Sequence, residues 1–173
     1  VAENNPLPAV CGRVCHHPCE DYCLRGQIDQ PVAIRALKRY ITEHASATAV
    51  SQSGSVGKAG GKVAIIGSGP AGLAAAHDLA SAGYTVTVYE ALSYLGGMLA
   101  RGIPEFVLPR QVLQTEIASI ERLGVEMRTG IALGRDLSLG DLFDQGYRAV
   151  FLSPGAQQSI ALNIPGIDLA GVV

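Results

Sequence analysis

The sequence predicts a small α-helical, cysteine-bearing module followed by an α/β Rossmann-like domain with a largely parallel sheet. Three observations carry this. All four cysteines fall within "CGRVCHHPCEDYC", residues 11–23. A Ser-, Gly- and Ala-rich stretch, "SATAVSQSGSVGKAGG", separates them from the rest and reads as a linker. Beyond it, short apolar runs alternate with helical patterns, which implies parallel strands covered on both faces. The expected boundaries are 1–45 for the helical module, 46–61 for the linker and 62–173 for the α/β domain.

Taken in order, residues 1–30 read as irregular, because Pro6, Pro8, Pro18, Gly12 and Gly26 interrupt them. Pro31 stands where a helix can begin, since its missing N–H costs nothing there. The following "VAIRALKRYITEHA" places Ile34, Leu37 and Ile41 on one face. "KVAIIG" from Lys62 is a short buried strand, and "PAGLAAAHDLASAG" is a helix of small residues closed by Gly83. "YTVTVYE" is a second strand. Helix "RQVLQTEIASIERLG" follows Pro109 and stops at Gly124. Strand "VEMRT", a helical stretch around "LGDLFDQG" and strand "AVFLS" complete the pattern.

The 173 residues suffice for one ordinary domain or for a small module attached to a larger one. A hydrophobic fraction of 48% supports a core. Charged residues are 16% and the formal net charge is −2, which leaves no basic stripe for nucleic acid. No apolar stretch approaches the ~18 residues of a membrane span. The polar start, Val1 to Asn5, has neither the basic flank nor the apolar run of a signal peptide. These features predict a cytoplasmic protein. The first residue is Val1, and the closing Gly171-Val172-Val173 reads as the start of a strand, so a piece of a longer polypeptide is expected.

The cysteines advance in three steps of four. Dense thiols without a signal peptide point to a metal or cluster ahead of disulfides. On one helix they would drift ~40° per step and share a face. Gly12 and Pro18 argue instead for a loop wrapped around a cluster. Zinc prefers separated C-x2-C pairs, and soft thiolates suit an iron–sulfur cluster. Zinc, or inert or paired thiols, stay open from spacing alone. His16 and His17 read as solvated neighbours, His77 as structural, and Arg13 as a partner of Glu20 or a charge near a cluster.

"GSGPAG", Gly67 to Gly72, fits G-x-G-x-x-G. It follows a strand, opens a helix, and is followed by Glu90 at the end of the next strand. Gly67 permits the tight turn, Gly69 lets the backbone approach a pyrophosphate, and Gly72 lets helix and strand pack closely. The helix N-terminus offers N–H groups to the phosphates. Glu90 is placed to accept from a ribose diol and disfavours a 2′-phosphate. The loop alone leaves NAD and FAD both open. "YLGGMLARGIPEFVLP", residues 94–109, favours FAD: it is a poor helix and a poor strand, with a shaped backbone suited to lining a flavin.

Together these stretches resemble the glutamate synthase small-subunit family, whose module is shared by dihydropyrimidine dehydrogenase and other NAD(P)H-dependent FAD and iron–sulfur oxidoreductases. The carrying residues are "NPLPAVCGRVC" with "PCEDYC", "PVAIRALKRY", "GSGPAG", "LGGMLARGIPEFVLP", "FLSPGAQ" and "LNIPGIDLAGVV". The resemblance implies a helical [4Fe–4S] domain, then the first half of an FAD domain interrupted by an NAD(P)H domain absent from this chain. It also implies a further cysteine motif upstream of Val1. It carries over Gly67, Ser68, Gly69, Pro70 and Ala71 to the FAD pyrophosphate, Glu90 to the ribose, and Gly97, Met98 and Leu99 to the flavin side. Leu133 falls to the adenosine half, and Gly155 closes over the pyrophosphate. Cys11, Cys15, Cys19 and Cys23 become the cluster ligands, the last three the firmer set, and Lys38 stands where relatives carry a Gln or Glu ligand. Val107 replaces an arginine and Pro154 a small or β-branched residue of the relatives' pattern.

The implied activity is electron transfer from NAD(P)H through FAD and [4Fe–4S] clusters to a partner protein or catalytic large subunit. The alternative is a docking or zinc-binding module with an empty nucleotide fold. A flavin hydroxylase or disulfide reductase is disfavoured, since no C-x-x-C pair exists. No residue reads as an acid, base or nucleophile. Half a flavin domain would leave a sheet edge bare and invite self-association.

Overall fold

The computed structural model describes residues 4–44, 60–158, 160 and 163–171. Apart from Gly60 and Gly61, the expected linker lies outside the described residues. The cysteine module is built of α1 (Pro8–Val14), α2 (Pro18–Asp21), a 3-10 turn at Leu24–Gln27 and α3 (Ile34–His44). Residues 1–30 are therefore more helical than their prolines and glycines suggest. Pro8 and Pro18 stand in the first turns of α1 and α2, where a missing N–H is harmless, and so they start helices instead of breaking them. Gly12 lies inside α1 for a packing reason, because a Cβ there would stand 2.9 Å from the Arg39 backbone of α3. α3 begins at Ile34, not at Pro31, and the Glu20 carboxylate accepts its Arg35 N–H at 2.8 Å.

The second part runs β1 (Lys62–Ile66), α4 (Pro70–Ser81), β2 (Thr85–Glu90), α5 (Met98–Arg101), α6 (Arg110–Glu121), β3 (Glu126–Thr129), α7 (Leu139–Asp144) and β4 (Tyr147–Leu152). All pairings are parallel, in the order β3-β2-β1-β4. Alternation along β1 separates two cores. Ile65 joins Leu73, Val86, Val88, Leu113 and Ile120 beneath α4 and α6. Ala64 and Ile66 join Tyr89, Leu142 and Tyr147 beneath α7. Every strand–helix alternation expected from the sequence is present, and the one added element is α5, a single turn inside the 94–109 segment.

The two parts share a core. Leu7 and Val10 of the cysteine module are buried with the α4–α6 cluster. α1 has no side-chain cap from its own N-cap residue, Leu7. Glu116 of α6 supplies one instead: its carboxylate accepts the Ala9 N–H at 2.5 Å and the Val10 N–H at 3.0 Å. Burial pushes the Glu116 carboxyl above the usual range, opposed by the Ala9 and Val10 N–H groups and by Arg13.

Candidate functional site

The phosphate loop joins β1 to α4, and its three glycines are required for three different reasons. Gly67 has φ +100°, and a Cβ there would stand 2.3 Å from the Ser153 carbonyl oxygen. Gly72 is pressed on the loop itself, since its Cβ would meet the Gly67 oxygen at 2.0 Å. Gly69, the N-cap of α4, has φ −67°, and a Cβ there would meet nothing within 4 Å. The bare face of Gly69 is thus turned to open space at the start of a twelve-residue helix, whose first N–H groups have no partner within it. That is a cradle for a diphosphate, so the loop fits the group the sequence implies.

The glycine pair after β2 closes over this loop. Gly96 has φ +108° and Gly97 φ +54°, and a Cβ on Gly97 would stand 2.8 Å from the Gly69 Cα. The Gly96 N–H donates to the Ser68 hydroxyl at 3.1 Å and to the Ser68 carbonyl at 3.2 Å. Beyond the pair, Met98 is exposed, while Leu99 is buried in the α4–α6 core and its carbonyl accepts from Arg110 Nη1 at 3.0 Å. α6 therefore grips this segment at one end and α1 at the other.

Glu90 ends β2 and is 7% exposed. Oε2 accepts the Ser68 N–H at 2.9 Å and the Ser68 hydroxyl at 2.6 Å, and Oε1 accepts the Leu92 N–H at 2.9 Å. A carboxylate offers about four acceptor positions, so most of this one's capacity is spent on its own loops. Leu133 is half-buried beneath α7, in a bridge with Leu137. Gly155 lies past β4 at φ +74°, exposed beside Pro154. Pro70 and Ala71 form the first turn of α4. Ser68, Glu90 and Leu99 are thus expected contacts turned inward: the Ser68 N–H is spent on Glu90 and its carbonyl on Gly96, and the Leu99 N–H is spent on the Gly96 carbonyl and its own carbonyl on Arg110.

Sequence reasoning missed two supports. Ser153 donates its hydroxyl to the Ile66 carbonyl at 3.0 Å and its N–H to the same oxygen at 2.8 Å, which ties the end of β4 to the loop. Glu116 was the other, and its apolar neighbours in an amphipathic helix hid it.

In the cysteine module, Cys11 lies on α1, Cys15 is its C-cap, Cys19 lies on α2 and Cys23 precedes the 3-10 turn. The four side chains are distributed over successive short elements, and among the described residues no three Cys, His, Asp or Glu side chains gather as a metal site. What the module does show is sulfur placed against N–H donors. Cys15 Sγ accepts the His17 N–H at 3.3 Å, with His17 in the left-handed region at φ 49°. N–H groups of Val32, then Arg25 and Gly26, hold the Cys23 thiol below its usual value. Such donors suit thiolate ligands. The Arg35 guanidinium donates to the Cys15 carbonyl at 3.1 Å. Arg13 pairs with Glu43 of α3 at 2.8 Å and not with Glu20, whose carboxylate serves Arg35 and His17. His77 Nδ1 pairs with its neighbour Asp78 at 2.8 Å, away from the loop contacts.

Comparison with known proteins gives two family matches. Residues 1–50 match the family described as dihydropyrimidine dehydrogenase domain II, 4Fe-4S cluster. Residues 61–173 match the family described as pyridine nucleotide-disulphide oxidoreductase. The chain is 45% identical over 174 residues to the NADPH-Fe(3+) oxidoreductase subunit beta of Geobacter sulfurreducens, covering 97% of this chain and 25% of that protein. It is 40% identical over 169 residues to the glutamate synthase [NADPH] small chain of Mycobacterium tuberculosis, covering 97% of this chain and 34% of that one. Among solved structures, Mycobacterium tuberculosis FprA in complex with NADPH superposes with a TM-score of 0.57 and 26% identity, over 65% of this chain and 26% of that one. The chain thus spans between a quarter and about a third of these proteins. The resemblance read from the motifs holds over both parts. Among the described residues no helix is long and apolar enough to cross a membrane.

Proposed function

Because the chain belongs to the pyridine nucleotide-disulphide oxidoreductase family, we propose that it is the FAD-binding and cysteine-bearing part of a cytoplasmic NAD(P)H-dependent oxidoreductase. In that reading electrons move from NAD(P)H by way of FAD and [4Fe–4S] centres to a partner subunit or acceptor protein. The observation that carries it is the open face of Gly69 between the first turn of α4 and the Gly96–Gly97 pair. A bound flavin supplies the exchange between two-electron hydride chemistry and single-electron transfer.

The chain's own residues do the holding. The backbone at Gly67 and from Gly69 to Ala71 receives the diphosphate, with the buried Ser68 beneath it and Gly155 across from it. Glu90 takes a ribose hydroxyl on its remaining acceptor capacity. The backbone at Gly97 and the exposed Met98 lie along the flavin side, and Leu133 lies toward the adenosine half. Cys15, Cys19 and Cys23, with Cys11 near them, are the thiolates offered to iron. The domain limits proposed are 1–45, 46–61 and 62–173. Among the described residues we assign no acid, base or nucleophile.

Anaerobic purification of the full-length polypeptide, followed by release of flavin and assay of iron and sulfide, tests this. FAD, iron and acid-labile sulfide are expected together. A colourless protein that takes up none of them after reconstitution sinks the reading in favour of a docking module. Zinc in place of iron and sulfide overturns the cluster half alone.

A further inference from the structure

Ser68 is the one residue of the phosphate loop whose side chain is wholly buried, and no ligand can touch it. Its hydroxyl nonetheless joins two parts of the site. Its hydroxyl lies 2.6 Å from Glu90 Oε2 and 3.1 Å from the Gly96 nitrogen. The direction of these bonds is fixed by chemistry. A backbone N–H only donates, so the hydroxyl oxygen accepts from Gly96 and its single proton is left for Glu90 Oε2. The short bond at one end polarises the hydroxyl and strengthens the bond at the other. One short chain thus runs from the end of β2, through the phosphate loop, to the glycine pair.

The glycine pair has no slack. Gly97 approaches Gly69 so closely that a Cβ would stand 2.8 Å from the Gly69 Cα, and Gly96 and Gly97 both hold positive φ. A displacement of Gly96 therefore moves the flavin-side backbone against the diphosphate cradle. We propose that Ser68 is a positioning residue whose hydroxyl couples the ribose carboxylate Glu90 to the Gly96–Gly97 backbone, so that the adenosine end of the site sets the geometry of the flavin end. This rests on the flavin reading above. Glu90 itself keeps two other donors, the Ser68 and Leu92 N–H groups, when the hydroxyl is removed. Gly96 keeps only its 3.2 Å bond to the Ser68 carbonyl and loses the hydroxyl, so the carboxylate should hold its place while the glycine pair, left with one of its two bonds to Ser68, loosens.

The test compares FAD with ADP, its adenosine diphosphate part, by titration of the full-length polypeptide and of Ser68→Ala. FAD affinity is expected to fall about tenfold, of the order of one hydrogen bond's net weight. ADP affinity is expected to stay within about threefold, since its anchors remain. Equal losses for both ligands would mean a collapsed loop and no coupling, and no loss for either would make the hydroxyl idle; each overturns the inference. A second measurement needs no variant. In the unsubstituted protein, exchange of the Gly96 amide hydrogen should slow when ADP is added, although ADP lacks the flavin part. An unchanged rate overturns the coupling. If the unsubstituted protein binds ADP but not FAD, the flavin reading itself has failed, a result distinct from either.

Discussion

Gly67 and Gly69 stand two positions apart in one motif, yet different forces hold them. At Gly67 the fold itself forbids a side chain. A left-handed residue other than glycine costs about 1–2 kcal/mol, and the Cβ would also strike Ser153 oxygen at 2.3 Å. At Gly69 the fold forbids nothing, because φ is −67° and the space beside it is open. Gly67→Ala should therefore be strongly destabilised. Gly69→Ala should unfold in urea within about 1 kcal/mol of the wild type, since removing chain entropy offsets a poorer N-cap. The same variant should lose FAD, because its methyl stands where a diphosphate would approach. Urea titration beside flavin titration separates the two; equal destabilisation would make Gly69 a folding residue only. Glu116 is the second residue with a legible test. Its native carboxyl value lies above the unfolded one, so its contribution to stability is complete below the unfolded value and is lost as pH rises through the native value. The stability margin of wild type over Glu116→Gln should be larger near about pH 4 than near about pH 7. A margin that grows with pH would mean that the charged form is the better cap.

At the scale of elements, α6 does two jobs that its sequence pattern does not advertise. Arg110 and Leu113 support the Gly96–Leu99 segment, while Glu116 and Ile117 face the core shared with α1. Hydrophobic periodicity made α6 a helix but gave no sign that a glutamate within it would meet two backbone N–H groups 106 and 107 positions away. The β-α alternation and the phosphate loop were legible because period and turn chemistry are local properties. The short helices of residues 1–30 are not legible in this way, because Pro8, Pro18 and Gly12 look locally like breakers, whereas two of them open helices and the third fits a helix crossing. Gly12→Ala tests that crossing. Its Cβ would press the Arg39 backbone at 2.9 Å, an overpacking of about 1–3 kcal/mol. Hydrogen exchange should accelerate across α3 and leave β1 and β2 unchanged. Equal acceleration in both would show that the two parts unfold as one unit.

For the molecule as a whole, the described sheet ends on β4, which pairs with β1 on one side and presents its other edge to solvent. Near the end of that strand Phe151 and Leu152 are 42% and 55% exposed. An open parallel edge with apolar side chains is a template for another chain, because its N–H and C=O groups and its hydrocarbon surface both gain from being covered. No charge guards the neighbouring positions Ala149 and Val150, and Arg148 stands at the strand's start. The 173-residue chain by itself should therefore sediment as oligomers that grow with concentration across the micromolar range. A lysine at the edge should suppress this, so Phe151→Lys is expected to return the chain toward monomer. Phe106→Lys is the control: Phe106 is more exposed still, at 89%, but it lies between α5 and α6, outside the sheet. If general apolar exposure drove association, Phe106→Lys would be at least as effective. A greater effect at Phe151 assigns the association to strand pairing, and a chain that stays monomeric at every concentration refutes the edge argument altogether.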